Sequence, residues 1–265
     1  MILIKNIGAI VGVRDHADRP LRGEEMNRLP ELRNAWLLTD GDRIHSYGKM
    51  PDCPQQADET VDARGGWLFP AFCDSHTHLI FAGNREKEFV DKINGLSYAE
   101  IAARGGGILN SADRLHGYTE QQLFEEAAPR LDAIMRSGTG AVEIKSGYGL
   151  TLEDELKMLR VIARIKEEYP LAVRSTFLGA HAVGRAYEGR QEEYVDYVCR
   201  EMIPAVAAEG LADYADVFCE EGFFTVEETD RIFSHAEHYG IKPRLHANQL
   251  HCSGGVQVGV KHKAA

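Results

Sequence analysis

The chain has 265 residues, 44% of them hydrophobic and 27% charged, so it can bury a large core and is neither disordered nor fibrous. Its formal net charge of −11 disfavours binding to nucleic acid or to anionic membrane surfaces, which leaves small polar metabolites as the expected partners. The five cysteines form no C-x-x-C pair and no segment has the roughly 20 apolar residues of a membrane helix, so we expect a cytoplasmic protein with reduced thiols.

The first part of the chain, residues 1–65, is predicted to form a small β domain. Two apolar runs, Asn34–Thr39 and Arg43–Ile44, are separated by an Asp-Gly turn, which is typical of a β-hairpin. Together with Ile2–Ile4 near the start, these strands indicate a segment of a β-sandwich.

Strand and helix patterns alternate from residue 66 to residue 265. The predicted strands are Trp67–Phe72, Ala141–Ile144, Ala172–Leu178, Ala215–Phe218 and Pro243–Leu245. The predicted helices begin at capping boxes (Thr119 with Gln122, Thr225 with Glu228) or span Leu152–Glu168 and Gln191–Glu209. Such alternation indicates parallel βαβ units, in a doubly wound sheet or in a (β/α)8 barrel.

The barrel is the favoured architecture because no glycine-rich dinucleotide fingerprint follows the first strand. A complete (β/α)8 barrel typically has about 250 residues for its eight units. We therefore predict an α/β protein with a partial TIM-like barrel of about five βα units over residues 66–265, and expect the later strands to be missing from this chain.

Histidines at the ends of predicted strands are the strongest chemical signal. His76 and His78 follow the first strand two residues apart, so both side chains point to the same side of an extended backbone. His246 ends the fifth strand, and the active sites of barrels lie at that end of the strands. Three imidazoles with an open position can hold a divalent metal that activates water. A buried core histidine is the alternative for His246, and ordinary surface histidines are the alternative for the pair.

Other strand ends carry weaker candidates. His181 closes the third strand and could be a fourth ligand or donate a hydrogen bond to a substrate carbonyl. Arg85 suits bidentate capture of a carboxylate, although an exposed arginine in a charged run is an equal alternative. Tyr148, in a glycine-flanked loop, could contact substrate or simply pack. For Lys145 we favour a solvated or salt-bridged lysine over a carbamylated metal bridge.

Residues 61–70 with Asp74–His78 resemble the amidohydrolase superfamily, where its β domain leads into its barrel. More specifically, five later runs together resemble the imidazolonepropionase family: Phe81–Arg85, Gly95–Ile108, Glu143–Leu150, Phe177–His181 and His246–Gln249. The similarity covers nearly the whole chain from about residue 35, and the later runs are far more specific than the histidine pair.

The resemblance implies hydrolysis of 4-imidazolone-5-propanoate to N-formimidoyl-L-glutamate in histidine degradation, with one zinc or iron ion, divalent or trivalent, per chain. By motif, His76, His78 and His246 match metal ligands. Substrate-binding positions are matched by Arg85, Tyr98, Tyr148, His181 and Gln249, and the last two are also the expected catalytic residues. Gln249 stands where some relatives carry glutamate, and an amide cannot act as a general base.

The family also carries a further histidine and a metal-binding aspartate on later strands, which we expect to lie in the missing part. Two alternatives remain open. One is a different amidohydrolase, such as a deaminase or a cyclic-amide hydrolase, and Arg85 discriminates because a neutral heterocycle needs no carboxylate clamp. The other is a catalytically incomplete metal-binding fragment. A homodimer is an option that the sequence does not decide.

Overall fold

A computed structural model describes residues 1–14, 19–97, 100 and 106–265 of the chain. These residues form two compact units, Met1–Ala71 and Phe72–Ala265. The sequence placed the domain boundary earlier, after residue 65. The first unit extends further because a short strand at 67–68 pairs inside it.

The first unit is built on one five-stranded sheet. Its strands are β1 (Ile2–Val11), β2 (Glu31–Asp40), β3 (Arg43–Lys49), β4 (Glu59–Asp62) and β5 (Trp67–Leu68). The order is β3-β2-β1-β4, and β5 pairs in parallel with β1. The antiparallel hairpin of β2 and β3 is as predicted, with Gly41 at positive φ in its turn. Since the described residues give one sheet here, the second layer of a sandwich stays a prediction.

One predicted strand is wrong. We expected Trp67–Phe72 to be the first buried strand of the barrel, but Trp67, Phe69 and Phe72 are all more than half exposed. Trp67–Leu68 forms a short strand of the first unit, and Phe72 is the first residue of β6, so the predicted run is divided between two sheets. The prediction failed because an apolar run does not by itself indicate which sheet it joins.

The second unit has a five-stranded sheet that is parallel throughout. Its strands are β6 (Phe72–Thr77), β7 (Thr139–Lys145), β8 (Ala172–Ala180), β9 (Tyr214–Cys219) and β10 (Lys242–Ala247). They are arranged in chain order, β6 to β10, as consecutive right-handed crossovers would place them. This is the predicted partial barrel of five strands. Within the described residues, β6 and β10 are edge strands, and β6 is exposed along most of its length.

Helices follow the strands of the second unit. They are α1 (Glu86–Ile93), α2 (Ile108–His116), α3 (Glu120–Arg136), α4 (Leu152–Glu168), α5 (Gln191–Tyr197), α6 (Ile203–Glu209), α7 (Val226–His238) and α8 (Gly255–Lys261). Both predicted capping boxes are present: Thr119 caps α3 with Gln122, and Thr225 caps α7 with Glu228. The helix predicted over 191–209 is interrupted by a π-helical segment, Val198–Met202, just before Pro204, which lacks the N–H of a regular turn.

The core of the second unit lies between the sheet and its helices. Leu123, Ala127 and Leu131 of α3 are fully buried, as their helical spacing predicts. Buried residues of α4, such as Leu159 and Ile162, pack in the same cluster. This core fixes the carboxyl ends of the strands, from which the candidate site is built. No helix in the described ranges is long and apolar enough to cross a membrane.

Candidate metal centre

Three histidines meet at the carboxyl ends of β6 and β10. His76 lies near the end of β6, His78 follows β6 directly, and His246 lies near the end of β10. Their ligand atoms all lie within 4.8 Å of one another. The ring centroids of His76 and His246 are 4.5 Å apart, and those of His76 and His78 are 5.5 Å apart. The geometry is the convergence that the strand-end argument predicts; metal binding itself stays a prediction.

Burial favours the neutral form of two of the three imidazoles, His76 and His78, and the neutral form is the one that binds a transition metal. Burial, followed by the neighbouring His181 and His246, lowers the pKa of His78 to about 2. Burial and the nearby His246 also lower the pKa of His76. In the described part of the chain, Nδ1 of His78 is buried and has no hydrogen-bond partner. Neutral imidazoles with available lone pairs are the nitrogen ligands that zinc and iron accept.

His181 directly follows β8 and is 7% exposed. Its Nδ1 lies 2.8 Å from the carbonyl oxygen of Gly147, which can only accept, so Nδ1 carries the proton. Burial lowers the pKa of His181 to about 4, which leaves the ring neutral with a lone pair on Nε2. In this state Nε2 can accept a hydrogen bond or bind a metal as the fourth ligand that the sequence allowed, whereas donation to a substrate carbonyl needs a proton on Nε2; the role of His181 stays a prediction.

The loop after β7 presents Tyr148 to the histidines. The tyrosine ring lies 5.6 Å from the ring of His78 and 5.3 Å from that of His181. Glu155, in the first turn of α4, is fully buried and accepts backbone N–H bonds from Gly147, Gly149 and Leu150 at 2.8–3.2 Å. Burial raises the pKa of Glu155 and these donors oppose the shift. The glutamate therefore fixes the loop that carries both Tyr148 and the acceptor for His181.

Arg85 is at the N-cap of α1, at the rim of the same cavity. Its Nε donates to Oε2 of Glu88 at 2.7 Å, and Nη2 donates to the same oxygen. Glu88 also accepts from the backbone N–H of Gly107 at 3.0 Å. The arginine is thus partly buried in an ion pair with a residue of the charged run, and its contact with a substrate stays a prediction.

A buried ionic group lies beneath the histidines. Nζ of Lys145 donates to Oε1 of Glu143 at 2.6 Å and to Oδ2 of Asp216 at 2.8 Å. Lys145 is 1% exposed, so it is salt-bridged and not solvated. Although burial opposes it, the hydrogen bond from His246 and the charge of Lys145 hold the pKa of Asp216 well below its usual range. Glu143 also accepts from Oγ1 of Thr176.

Seven of the predicted site residues line one cavity of about 540 Å³. They are His76, His78, Arg85, Tyr148, His181, His246 and Gln249. Gln249 is in a bend after β10 whose backbone N–H groups, from 249 to 251, are held by the buried carboxylate of Glu220. The eighth, Tyr98, lies outside the described residues.

Sequence reasoning missed the carboxylates that hold this site in place: Glu88, Glu155, Asp216 and Glu220. One of them had a visible signal. Asp216 is a charged residue inside an otherwise apolar strand run, Ala215–Phe218, and a buried charge in such a run needs a partner. The three glutamates had none, because glutamate in a first helical turn or a loop is ordinary.

Comparison with known proteins identifies close sequence relatives. The chain is 52% identical over 264 residues to the imidazolonepropionase of Christiangramia forsetii and 50% identical over 263 residues to that of Flavobacterium johnsoniae. Each alignment covers 99% of this chain and 64% of the relative. The imidazolonepropionase of Pseudomonas putida is 43% identical over 238 residues, or 89% of this chain and 59% of the relative. The chain therefore spans less than two thirds of the length of these relatives. No family model matches it.

Solved structures share the fold at low identity. A 5-methylcytosine deaminase from Klebsiella pneumoniae superposes with a TM-score of 0.63 at 15% identity, over 96% of this chain and 55% of that one. A zinc-bound variant of atrazine chlorohydrolase from Arthrobacter aurescens gives 0.59 at 16% identity, over 99% and 58%. These neighbours have the amidohydrolase barrel, so the partial barrel of this chain has that fold.

Proposed function

Because this chain is a homologue of the imidazolonepropionases with the amidohydrolase fold, we propose that it belongs to a metal-dependent hydrolase that opens the ring of 4-imidazolone-5-propanoate to give N-formimidoyl-L-glutamate. The observation that carries the proposal is the single cavity that receives seven residues matched by family motif. Those residues come from five separate stretches of the chain, so their meeting is not a consequence of sequence proximity.

The metal would be held by His76, His78 and His246. Their ligand atoms are within 4.8 Å of one another, close enough for small rotations of the side chains to bring them onto one ion. We propose one ion per chain, zinc or iron, since both accept neutral imidazole nitrogen. When bound, such an ion supplies Lewis-acid activation of water and of a carbonyl group.

The remaining residues would orient the substrate. The lone pair on Nε2 of His181 can accept a ring N–H, because its Nδ1 proton is held by Gly147. Tyr148 would close over the ring from the side of His78 and His181. The guanidinium of Arg85, held by Glu88, would face the propionate tail, and fixing that tail places the ring for attack.

Gln249 would contact the substrate through its amide, which can donate and accept but cannot take a proton as a base. We place Tyr98 in the same substrate-binding set by motif alone. The net charge of −11 agrees with a small-molecule substrate and disfavours nucleic acid as a partner. We also propose a cytoplasmic location, which is what the cysteine pattern of the sequence predicts.

The test is product formation by the purified full-length protein loaded with zinc or with iron, with the 265-residue chain measured beside it. We expect imidazolone propionate to be consumed and N-formimidoyl-glutamate to appear by mass spectrometry, and His246→Ala to abolish this. A neutral heterocycle such as a cytosine analogue serves as the competing substrate. Turnover of that compound with no turnover of imidazolone propionate would favour the deaminase alternative. Metal binding with no turnover of either would favour a catalytically incomplete metal-binding fragment.

A further inference from the structure

The buried carboxylate of Asp216 makes two contacts with one residue. Its Oδ1 accepts from the backbone N–H of His246 at 3.1 Å and lies 3.0 Å from Nδ1 of the same ring. Because one oxygen meets both the main chain and the ring, it fixes the ring's rotation relative to β10. Asp216 is in β9, the strand that pairs with β10, so the sheet itself sets this distance.

These contacts also select a tautomer. An ionised carboxylate only accepts, so the His246 proton is on Nδ1 and the lone pair is on Nε2. We propose that Asp216 is a positioning residue for His246, presenting Nε2 for metal binding, and that Lys145 fixes the orientation of the Asp216 carboxylate. This inference rests on the proposed role of His246 as a ligand, and carboxylate partners of this kind orient ligating histidines in metal sites generally.

Lys145 contributes because it occupies the other oxygen. Its ammonium donates to Oδ2 at 2.8 Å and is itself held by Glu143 at 2.6 Å. The carboxylate therefore has a donor on each side and cannot rotate without losing one. With Lys145 1% exposed and Asp216 2% exposed, water does not replace a lost partner.

The sharpest perturbation is Asp216→Asn. Asparagine keeps the shape but has one oxygen and one NH2 group. If its oxygen faces His246, its NH2 meets the ammonium of Lys145. If its oxygen faces Lys145, its NH2 meets Nδ1 of His246 and drives the proton to Nε2, which removes the lone pair meant for the metal. Neither orientation satisfies both neighbours.

Two measurements test this on the 265-residue chain. Zinc affinity is measured by competition with a chromophoric chelator, and the tautomer of His246 in the metal-free protein is read from its imidazole 15N shifts. We expect Asp216→Asn to weaken zinc binding by about 10–100-fold. The matched control is Asp213→Asn. Asp213 directly precedes β9, at the end of the strand away from the histidines, and its carboxylate accepts hydrogen bonds from Arg174 and Ser175. Its zinc affinity should equal that of wild type.

The proposal is overturned if metal-free wild type carries the His246 proton on Nε2, or if Asp216→Asn binds zinc as tightly as wild type. The tautomer measurement uses the wild-type protein, so it tests the proposal even if Asp216→Asn does not fold. Failure of this proposal and failure of the proposed function can be told apart. A wild type that binds no zinc contradicts the proposed function, while its 15N shifts still decide whether Asp216 sets the tautomer.

Discussion

Glu155 offers a quantitative test of how the site is held. This fully buried carboxylate accepts from the backbone N–H groups of Gly147, Gly149 and Leu150, which form the loop around Tyr148. In Glu155→Gln the side chain keeps its volume, so no cavity forms. It loses the negative charge and replaces one acceptor oxygen with an NH2 group.

The expected loss follows from the bonds. A hydrogen bond to a charged group contributes about 1.5–3 kcal/mol, against about 1 kcal/mol for a neutral one. Three bonds weakened by about 1 kcal/mol each give a loss of about 3 kcal/mol. Because the variant no longer buries a charged group, part of this loss is offset, and about 2 kcal/mol remains. We therefore expect Glu155→Gln to lower the free energy of unfolding by about 2 kcal/mol.

Urea unfolding measures this loss, and amide hydrogen exchange locates it. The control is Glu153→Gln, since Glu153 is exposed in the same first turn of α4. We expect faster exchange at 147, 149 and 150 in Glu155→Gln only. If both variants unfold alike and the three amides exchange as in wild type, the loop does not depend on Glu155 and the argument is wrong.

Two further predictions concern charged side chains. Arg85→Lys keeps the charge but loses the planar guanidinium that can contact Glu88 and the propionate tail together. In the full-length protein we therefore expect kcat/KM for imidazolone propionate to fall about ten- to a hundredfold at unchanged metal content, and equal steady-state values would remove Arg85 from the site. His116 lies 2.8 Å from Asp154, whose hydrogen bond raises the pKa of His116 above 6.5. This pair therefore stabilises the fold below that unfolded value and the effect is lost as pH rises through the raised pKa. His116→Gln should cost more stability below about pH 6 than above about pH 9, and a pH-independent difference in urea unfolding would contradict this.

Much of the fold was predictable because its signals are local. The Asp-Gly hairpin and both capping boxes depend on residues three or four positions apart, and they formed as expected. The convergence of His76, His78 and His246 could be predicted from the alternation of strands and helices, since parallel strands bring their carboxyl ends to one edge of the sheet.

The rest depends on distant partners. Trp67 and Phe72 look like core residues in sequence, yet their exposure depends on which elements pack over them. The tautomer of His181 depends on a carbonyl at Gly147, and that of His246 on a carboxylate at Asp216. No periodicity in the sequence encodes those contacts, so sequence reasoning could not predict the partners of His181 and Asp216.

The most direct test of the account is the metal stoichiometry of the histidine centre. Metal-free protein is titrated with Co²⁺, whose visible absorption reports its ligands, and bound metal is counted by mass spectrometry. We expect about one ion per chain in wild type and a loss of binding in His76→Gln, His78→Gln and His246→Gln. His238→Gln, which changes an exposed histidine at the end of α7, should bind like wild type. Equal cobalt binding by wild type and all four variants would show that the three histidines are not the metal centre.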